Sequence, residues 1–182
     1  LHFFFIQNIT TNKISKIMMT KEQYIKITEP LRKNPVRAKQ VKNLNHILTG
    51  FVFCMYPLYL LKLLTERNTW FIRALLVPAV SFVCLSVVRK IINVPRPYEK
   101  FDIPPVLEKD TTGKSFPSRH VFSVFMIAMT VFYEHPGAGI LLGIIGLLLG
   151  IVRVAVGVHE PRDIAAGAIA GIACGLIGYY VI

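Results

Sequence analysis

Acidic residues are scarce in this chain of 182 residues. It contains 10 Asp and Glu against 21 Lys and Arg, so its formal net charge is +11. A charge of this sign favours anionic partners, namely lipid headgroups, phosphorylated substrates or nucleic acid. The cations lie mostly between hydrophobic stretches, and no motif combines aromatic and basic side chains as nucleic-acid binders do. Nucleic acid is therefore the least favoured of the three partners.

Cysteine is also rare. Cys54, Cys84 and Cys174 each fall inside an apolar stretch and lack the spacing of a metal site. We interpret them as small buried hydrophobic residues. No metal-ligand set is visible elsewhere in the sequence, and no cofactor is expected.

Long hydrophobic stretches dominate the remainder. The composition is 53% hydrophobic and the mean hydropathy is +0.52, which is too apolar for an ordinary soluble domain of this length. Five stretches approach the length that crosses a bilayer. They cover residues 47–64, 70–92, 117–133, 136–156 and 164–182. The sequence predicts an all-α, multi-pass bundle of about five transmembrane helices in the cell membrane. The third stretch is short, so its end should be lined by protein.

The N-terminal quarter has a different character. Residues 20–45 are basic and only intermittently apolar, which fits helices lying on an anionic membrane surface or, equally, a solvated basic tail. We therefore divide the chain into an N-terminal extension with a basic interfacial segment, 1–45, and a membrane domain, 46–182. The apolar patch at residues 1–6 is a poor signal peptide because no basic region precedes it.

The lengths of the connections predict the topology. Residues 65–68 and 134–135 are tight turns, whereas residues 93–116 form a long polar loop. With an odd number of crossings, the basic segment, the long loop and His159 lie on one face. The tight turns and the C-terminus lie on the other.

Ionisable residues interrupt the apolar sequence between Arg153 and Asp163. Charged groups at the end of a bilayer-length stretch are costly and indicate a functional site by default. His159 and Asp163 are four residues apart, with Pro161 suited to begin the next helix, so the carboxylate can turn back towards the imidazole. This spacing alone favours a structural or interfacial polar cluster over a catalytic pair.

Two further polar clusters flank the long loop. Arg89, Lys90 and Arg96 precede it, and Ser118, Arg119 and His120 follow it. Arg89 and Lys90 also fit the role of interface anchors, and Ser118 fits a helix N-cap. Together with the third cluster, they supply the donors, nucleophile and proton donor that phosphoryl transfer requires.

The three clusters resemble the signature motifs of the type 2 phosphatidic acid phosphatase superfamily. RKIINVPRP at 89–97, PSRH at 117–120 and RVAVGVHEPRD at 153–163 correspond to K-x6-RP, PSGH and SR-x5-H-x3-D. The resemblance spans residues 89–163, with correct order and spacing.

The resemblance implies a role for each matching residue. His159 would be the nucleophile that forms a phosphohistidine, Asp163 its orienting partner, and His120 the acid that protonates the leaving alcohol, without a metal ion. The residues expected to bind the substrate phosphate are Arg89, Arg96, Ser118, Arg119 and Arg153. Lys90, one residue out of register, and Lys114 in the long loop are accessory candidates.

The sequence departs from the family pattern at three positions. Arg89 replaces the usual Lys, Arg119 replaces Gly, and Val152 replaces Ser. Arg119 would narrow the pocket or add a contact to a second phosphate, while Val152 removes a hydroxyl contact. The nucleophile, its partner and the acid are retained, so we expect an active enzyme.

The expected substrate is a phosphorylated lipid in the bilayer. Polyprenyl diphosphate is favoured because the chain is short and lacks a soluble domain, as in bacterial members of the family; phosphatidylglycerophosphate and phosphatidate are the alternatives. A non-catalytic transporter or scaffold that binds phosphorylated lipid is the competing function. The resemblance places the active site on the extracytoplasmic face, whereas the positive-inside rule favours the cytoplasmic one. The sequence leaves the oligomeric state open.

Overall fold

The computed structural model describes residues 18–109 and 111–181. This part of the chain is helical and contains seven helices connected by turns and one long loop. They are α1 (Lys21–Arg32), α2 (Pro35–Thr65), α3 (Phe71–Ile92), α4 (Pro97–Phe101), α5 (Arg119–Glu134), α6 (Pro136–Ala155) and α7 (Pro161–Leu176), which continues as a π-helical turn, Ile177–Val181. The predicted all-α class is confirmed.

The N-terminal basic segment forms helix, not a solvated tail, from Lys21 onward. Thr20 caps α1 in a reciprocal capping box with Gln23, and Tyr24 and Thr28 are buried on its inner face. The second helix begins with an Asn34 cap and runs for 31 residues. The domain boundary expected between residues 45 and 46 lies inside α2, because this helix continues from basic into apolar sequence without a break. The apolar patch at residues 1–6 lies outside the described residues.

Within the described residues, four helical segments are long and apolar enough to cross a membrane. They are Pro35–Thr65, Phe71–Phe101, Pro136–Ala155 and Pro161–Val181. Their outward faces expose large apolar side chains, such as Leu58, Val80, Ile151 and Ile169, as a lipid-facing surface requires. The expected third span differs, since α5 has only 16 residues.

Helix α5 is the centre of the bundle. Nearly every residue from Val121 to Val131 is buried, and α5 packs most extensively against α6 and α7. A Cβ at Gly167 would lie 2.7 Å from the Ser118 carbonyl oxygen, and one at Gly171 would lie 2.8 Å from that of Phe122. The small residues of α7, four positions apart, therefore let its backbone approach that of α5.

The interpretation of the cysteines as buried is wrong for two of the three. Cys54 on α2 and Cys84 on α3 are exposed, and Cys174 on α7 is half-buried. An apolar stretch on an outer helix has a lipid-facing side, and these two thiols lie on it.

The predicted topology agrees with the contacts at the two ends of the bundle. At one end, Lys100 of α4 donates to the Met19 carbonyl at 3.1 Å and pairs with Glu160 before α7 at 3.3 Å. At the other end, Tyr59 donates to Glu134 at 2.8 Å, and Trp70 stacks on Tyr133 with ring centroids 4.1 Å apart. The basic segment, the long loop and the His159 loop therefore share one face.

Candidate active site

His159 lies in the short loop between α6 and α7, paired with Asp163. Pro161 begins α7, so Asp163 falls at the third helical position, from which its carboxylate turns back to the Glu160 N–H at 3.0 Å. The same oxygen, Oδ2, lies 3.3 Å from Nδ1 of His159. The local turn predicted from Pro161 is therefore present, and it leaves Nε2 as the free ring nitrogen.

His159 is 2% exposed. Burial lowers the pKa of His159 to about 3, against the opposing hydrogen bond of Asp163 and with the help of the Arg153 charge. The imidazole is therefore neutral at physiological pH, which a nitrogen nucleophile requires.

Ser118 and His120 stand at the start of α5. Ser118 is fully buried, and its N–H donates to the Asp163 carbonyl at 2.8 Å. It occupies the N-cap position as expected, but its hydroxyl makes no cap hydrogen bond and finds no partner within the described residues. The His120 ring stands edge-on to Phe53 of α2, with centroids 6.3 Å apart. His120 also lies within electrostatic reach of His159 and Arg153.

Three buried arginines frame the loop that carries His159. Arg89 donates from its two Nη atoms to the carbonyls of Lys114, Ser115 and Pro117, so it holds the segment that leads into α5. Arg96 donates to Gly113 at 3.2 Å and to Val158 at 3.3 Å.

Arg153 of α6 is the third member of this frame. It donates to Asn45 of α2 at 3.3 Å. Its Nε–H is buried without a hydrogen-bond partner in the described part of the chain. The Arg153 Nε–H and the Ser118 hydroxyl are thus unsatisfied donors beside the His159 loop, where an anion would satisfy them.

The remaining predicted cations lie to one side of His159. Arg119, Lys90 and Lys114 are exposed, and the Arg119 guanidinium lies 5.4 Å from the Phe82 ring centroid. They line a pocket of about 530 Å³ together with Arg89 and Arg96. The structure therefore places them in an open pocket, here called the cationic entrance, that shares Arg89 and Arg96 with the buried frame.

Sequence reasoning missed Ser115. It is 1% exposed, and its hydroxyl donates to Asp163 Oδ2 at 2.6 Å while lying 3.4 Å from His159 Nδ1. The only signal was its position three residues before Ser118.

Sequence reasoning also missed Lys109. The loop before it is anchored by the Val106 and Leu107 N–H groups, which donate to the Val156 carbonyl at 3.0 and 3.5 Å. Burial, followed by the charges of Arg153, Arg96, Arg119 and Arg89, lowers the pKa of Lys109 to about 8. Lys109 therefore lies within electrostatic reach of the site arginines, although in the sequence it is one charge among several in a polar loop.

No three His, Cys, Asp or Glu side chains between residues 18 and 109 or between 111 and 181 lie close enough to hold a metal ion. The site consists of imidazole, hydroxyl and cationic groups around one paired carboxylate.

The sequence model of the PAP2 superfamily matches residues 70–182. The chain belongs to this superfamily. The family expected from the three motifs is thereby confirmed, and the matched region contains all of the predicted site residues.

Two curated relatives have informative names. The chain is 31% identical over 105 residues to the bacitracin transport permease protein BcrC of Bacillus licheniformis, covering 56% of this chain and about half, 52%, of that protein. It is 29% identical over 143 residues to the undecaprenyl-diphosphatase of Sulfolobus acidocaldarius, covering 75% of this chain and 69% of that protein.

Two solved structures share the fold. Aquifex aeolicus LpxE superposes with a TM-score of 0.66 at 25% identity, covering 86% of this chain and 92% of its own. The PAP2-type phosphatidylglycerolphosphate phosphatase of Bacillus subtilis superposes with a TM-score of 0.64 at 21% identity, covering 90% and 87%. The enzyme class expected from the sequence, a lipid phosphate phosphatase, agrees with the family and with the name of the Sulfolobus relative, whereas the Bacillus licheniformis relative is named as a transport permease.

Proposed function

We propose that the protein is a membrane phosphatase that hydrolyses a phosphomonoester or diphosphate headgroup of a lipid. The observation that carries the proposal is a buried His159, whose Nδ1 lies 3.3 Å from Asp163 Oδ2, together with two buried donors that have no partner among the described residues. Those donors are Ser118 Oγ and Arg153 Nε. The Ser118 N–H donates to the Asp163 carbonyl and the Val158 N–H donates to the Arg153 carbonyl, so both donors belong to segments that adjoin His159. A tetrahedral phosphate would accept from both and present phosphorus to Nε2.

The proposed reaction has two displacements. Nε2 of His159 attacks phosphorus as the bond to the leaving oxygen breaks, and His120, as the imidazolium that the anionic phosphate stabilises, donates a proton to that oxygen. The ring of the resulting phosphohistidine is cationic, and the Asp163 carboxylate neutralises it. Water then attacks phosphorus, the phosphorus–nitrogen bond breaks, His120 accepts the proton, and inorganic phosphate leaves. The proposed phosphate-binding set is Arg89, Arg96, Ser118, Arg119, Arg153 and, from the structure, Lys109.

Polyprenyl diphosphate is the substrate we favour. The cationic entrance around Arg119 adjoins the buried frame, so one phosphate could occupy each. An apolar groove of about 220 Å³ between α2, α3 and α5, lined in part by Phe53, Phe82 and Phe122, begins next to His120 and suits a hydrocarbon chain. The name of the Sulfolobus relative points in the same direction. Phosphatidylglycerophosphate and phosphatidate remain the alternatives.

Phosphate release by the purified protein in detergent tests the function. We expect release from a polyprenyl diphosphate in the presence of EDTA and loss of release in His159→Ala. The matched control is His135→Ala, which removes an exposed histidine between α5 and α6 at the opposite end of the bundle. Undiminished turnover in His159→Ala would refute the assignment. Binding without hydrolysis by the wild type would instead support a transporter or scaffold.

The substrate is tested by comparing release from the three lipids side by side. A kcat/KM for polyprenyl diphosphate below that for either phosphomonoester lipid would overturn the preference for polyprenyl diphosphate. The activity assignment would stand.

We propose that the active site faces the extracytoplasmic side of the membrane, in agreement with the family resemblance. A Thr112→Cys variant carries a thiol in the long loop on the site face. Labelling of this thiol by a membrane-impermeant reagent in intact cells is expected. Protection in intact cells together with labelling after lysis would place the site in the cytoplasm.

A further inference from the structure

The buried hydroxyl of Ser115 contacts both members of the His159–Asp163 pair. Ser115 belongs to none of the three motifs and is 1% exposed. Its Oγ donates to Asp163 Oδ2 at 2.6 Å, a length typical of a charge-assisted bond to a carboxylate.

Two anchors fix the position of this hydroxyl. The Ser115 N–H donates to the Val94 carbonyl at 2.8 Å, just after α3. The Ser115 carbonyl accepts from Arg89 at 3.3 Å. Contacts therefore run from Arg89 through Ser115 and Asp163 to His159. Arg89, which belongs to the proposed phosphate-binding set, thus also places Ser115 and its neighbours through its two Nη atoms.

The two oxygens of Asp163 have unequal surroundings. Oδ2 accepts from Ser115 Oγ and from the Glu160 N–H, and it faces His159 Nδ1. Oδ1 has no hydrogen-bond partner among the described residues, and its nearest cation is Arg162 Nε at 3.8 Å. Without the Ser115 donor, rotation of the carboxylate towards Arg162 would cost less. Ser115 thus opposes a rotation that would take Oδ2 away from the imidazole.

We propose that Ser115 is a positioning residue for phosphoryl transfer, whose hydroxyl fixes Asp163 so that Oδ2 holds His159 Nδ1–H and Nε2 faces phosphorus. It acts through Asp163 and does not touch the substrate. The proposal rests on the proposed phosphatase function.

The bond has a second consequence in the phosphoenzyme. The ring of phosphohistidine is cationic, and an ionised Asp163 stabilises it. A hydroxyl donated to the carboxylate stabilises its ionised form and disfavours transfer of the Nδ1 proton to it. Loss of Ser115 should therefore slow formation of the phosphohistidine, and it should shift the acidic limb of the kcat profile to higher pH.

The test compares Ser115→Ala, Ser115→Cys and Ser115→Thr with the wild type on one lipid substrate. Alanine removes the donor, cysteine keeps the volume with a weak donor, and threonine keeps the hydroxyl. We expect kcat to fall about 10- to 100-fold in the alanine and cysteine variants, as for loss of a hydrogen bond to a charged group. KM should stay within about twofold, and threonine should retain more of kcat than cysteine. Ser81→Ala in α3 is the matched control and should keep wild-type rates.

Three results would overturn the proposal. The first is a cysteine variant with kcat within twofold of the wild type. The second is cysteine matching or exceeding threonine, because packing would then explain the role of Ser115. The third is an acidic limb that is unchanged in the alanine variant. If Ser115→Ala does not fold, the cysteine–threonine comparison decides alone. Inactive wild type, or fully active His159→Ala, would instead refute the phosphatase function itself.

Discussion

The charge of Lys109 should change within the pH range of an activity assay, so its effect on substrate binding can be measured. Its pKa is lowered from the ordinary value of 10.5 to about 8 by burial and by the surrounding arginines. The side chain is charged below that pH and loses its proton above it. From pH 7 to pH 9 the charged fraction falls from about nine-tenths to about one-tenth. A bound phosphate attracts the charged form only.

The size of the effect follows from these fractions. If only charged Lys109 contributes to binding, KM for the lipid phosphate should rise by up to about tenfold between pH 7 and pH 9. Lys109→Arg keeps its charge over this range, so its KM should change by less than about twofold. The measurement is steady-state phosphate release in mixed micelles at constant ionic strength, since salt screens such attraction. Lys39→Arg, an exposed lysine of α2, is the matched control and should retain the wild-type rise.

The pH dependence of KM in the wild type is compared with that in Lys109→Arg, and Lys39→Arg serves as the control. Identical KM profiles in the wild type and in Lys109→Arg would refute the placement of Lys109 in the substrate-binding site.

Three further predictions concern residues around the site. Gly157 has a φ of +79°, and a Cβ there would lie 2.6 Å from the Tyr24 hydroxyl; Gly157→Ala should lower the thermal unfolding midpoint by loosening α1 from the His159 loop. Gly143→Ala, where nothing lies within 4 Å of the added carbon, should raise it, and the reverse order would contradict the docking of α1. Glu160 is 2% exposed and pairs with Arg162 at 2.9 Å and Lys100 at 3.3 Å; Glu160→Gln should cost about 1–2 kcal/mol in denaturant unfolding, and an unchanged midpoint would show that the pairs contribute nothing. Arg119→Gln should raise KM for a lipid diphosphate about fivefold while leaving a monophosphate unaffected, and equal effects on both lipids would remove Arg119 from the second phosphate position.

The exposed Arg37 of α2 provides the control for the last of these. Arg37→Gln removes the same charge from the same side of the membrane without altering the pocket. Its KM for both lipids should match the wild type. A comparable rise would indicate general attraction of the anionic substrate to a basic surface.

Much of the fold was predictable because a membrane span depends on the apolar composition of one continuous stretch of sequence. Stretches of apolar residues gave the spans, and Pro161 gave the start of α7 with Asp163 turned back to His159. The exception was α5. Its sequence is as apolar as that of a lipid-facing span, and hydropathy does not distinguish lipid from protein as surroundings. Its 16 residues are surrounded by α3, α6 and α7 and form the packed centre of the bundle.

The family and the predicted catalytic residues came from order and spacing along the chain, which a sequence records directly. Which hydrogen-bond partner each donor finds was decided by tertiary structure alone. Arg89 donates to loop carbonyls, and Arg153 has an Nε–H that finds no partner in the described part of the chain. Ser115 and Lys109 approach the site from a loop with no distinguishing pattern. Hydrogen bonds form between atoms adjacent in space, and the long loop approaches His159 only because α3, α5 and α6 end on the same face of the bundle.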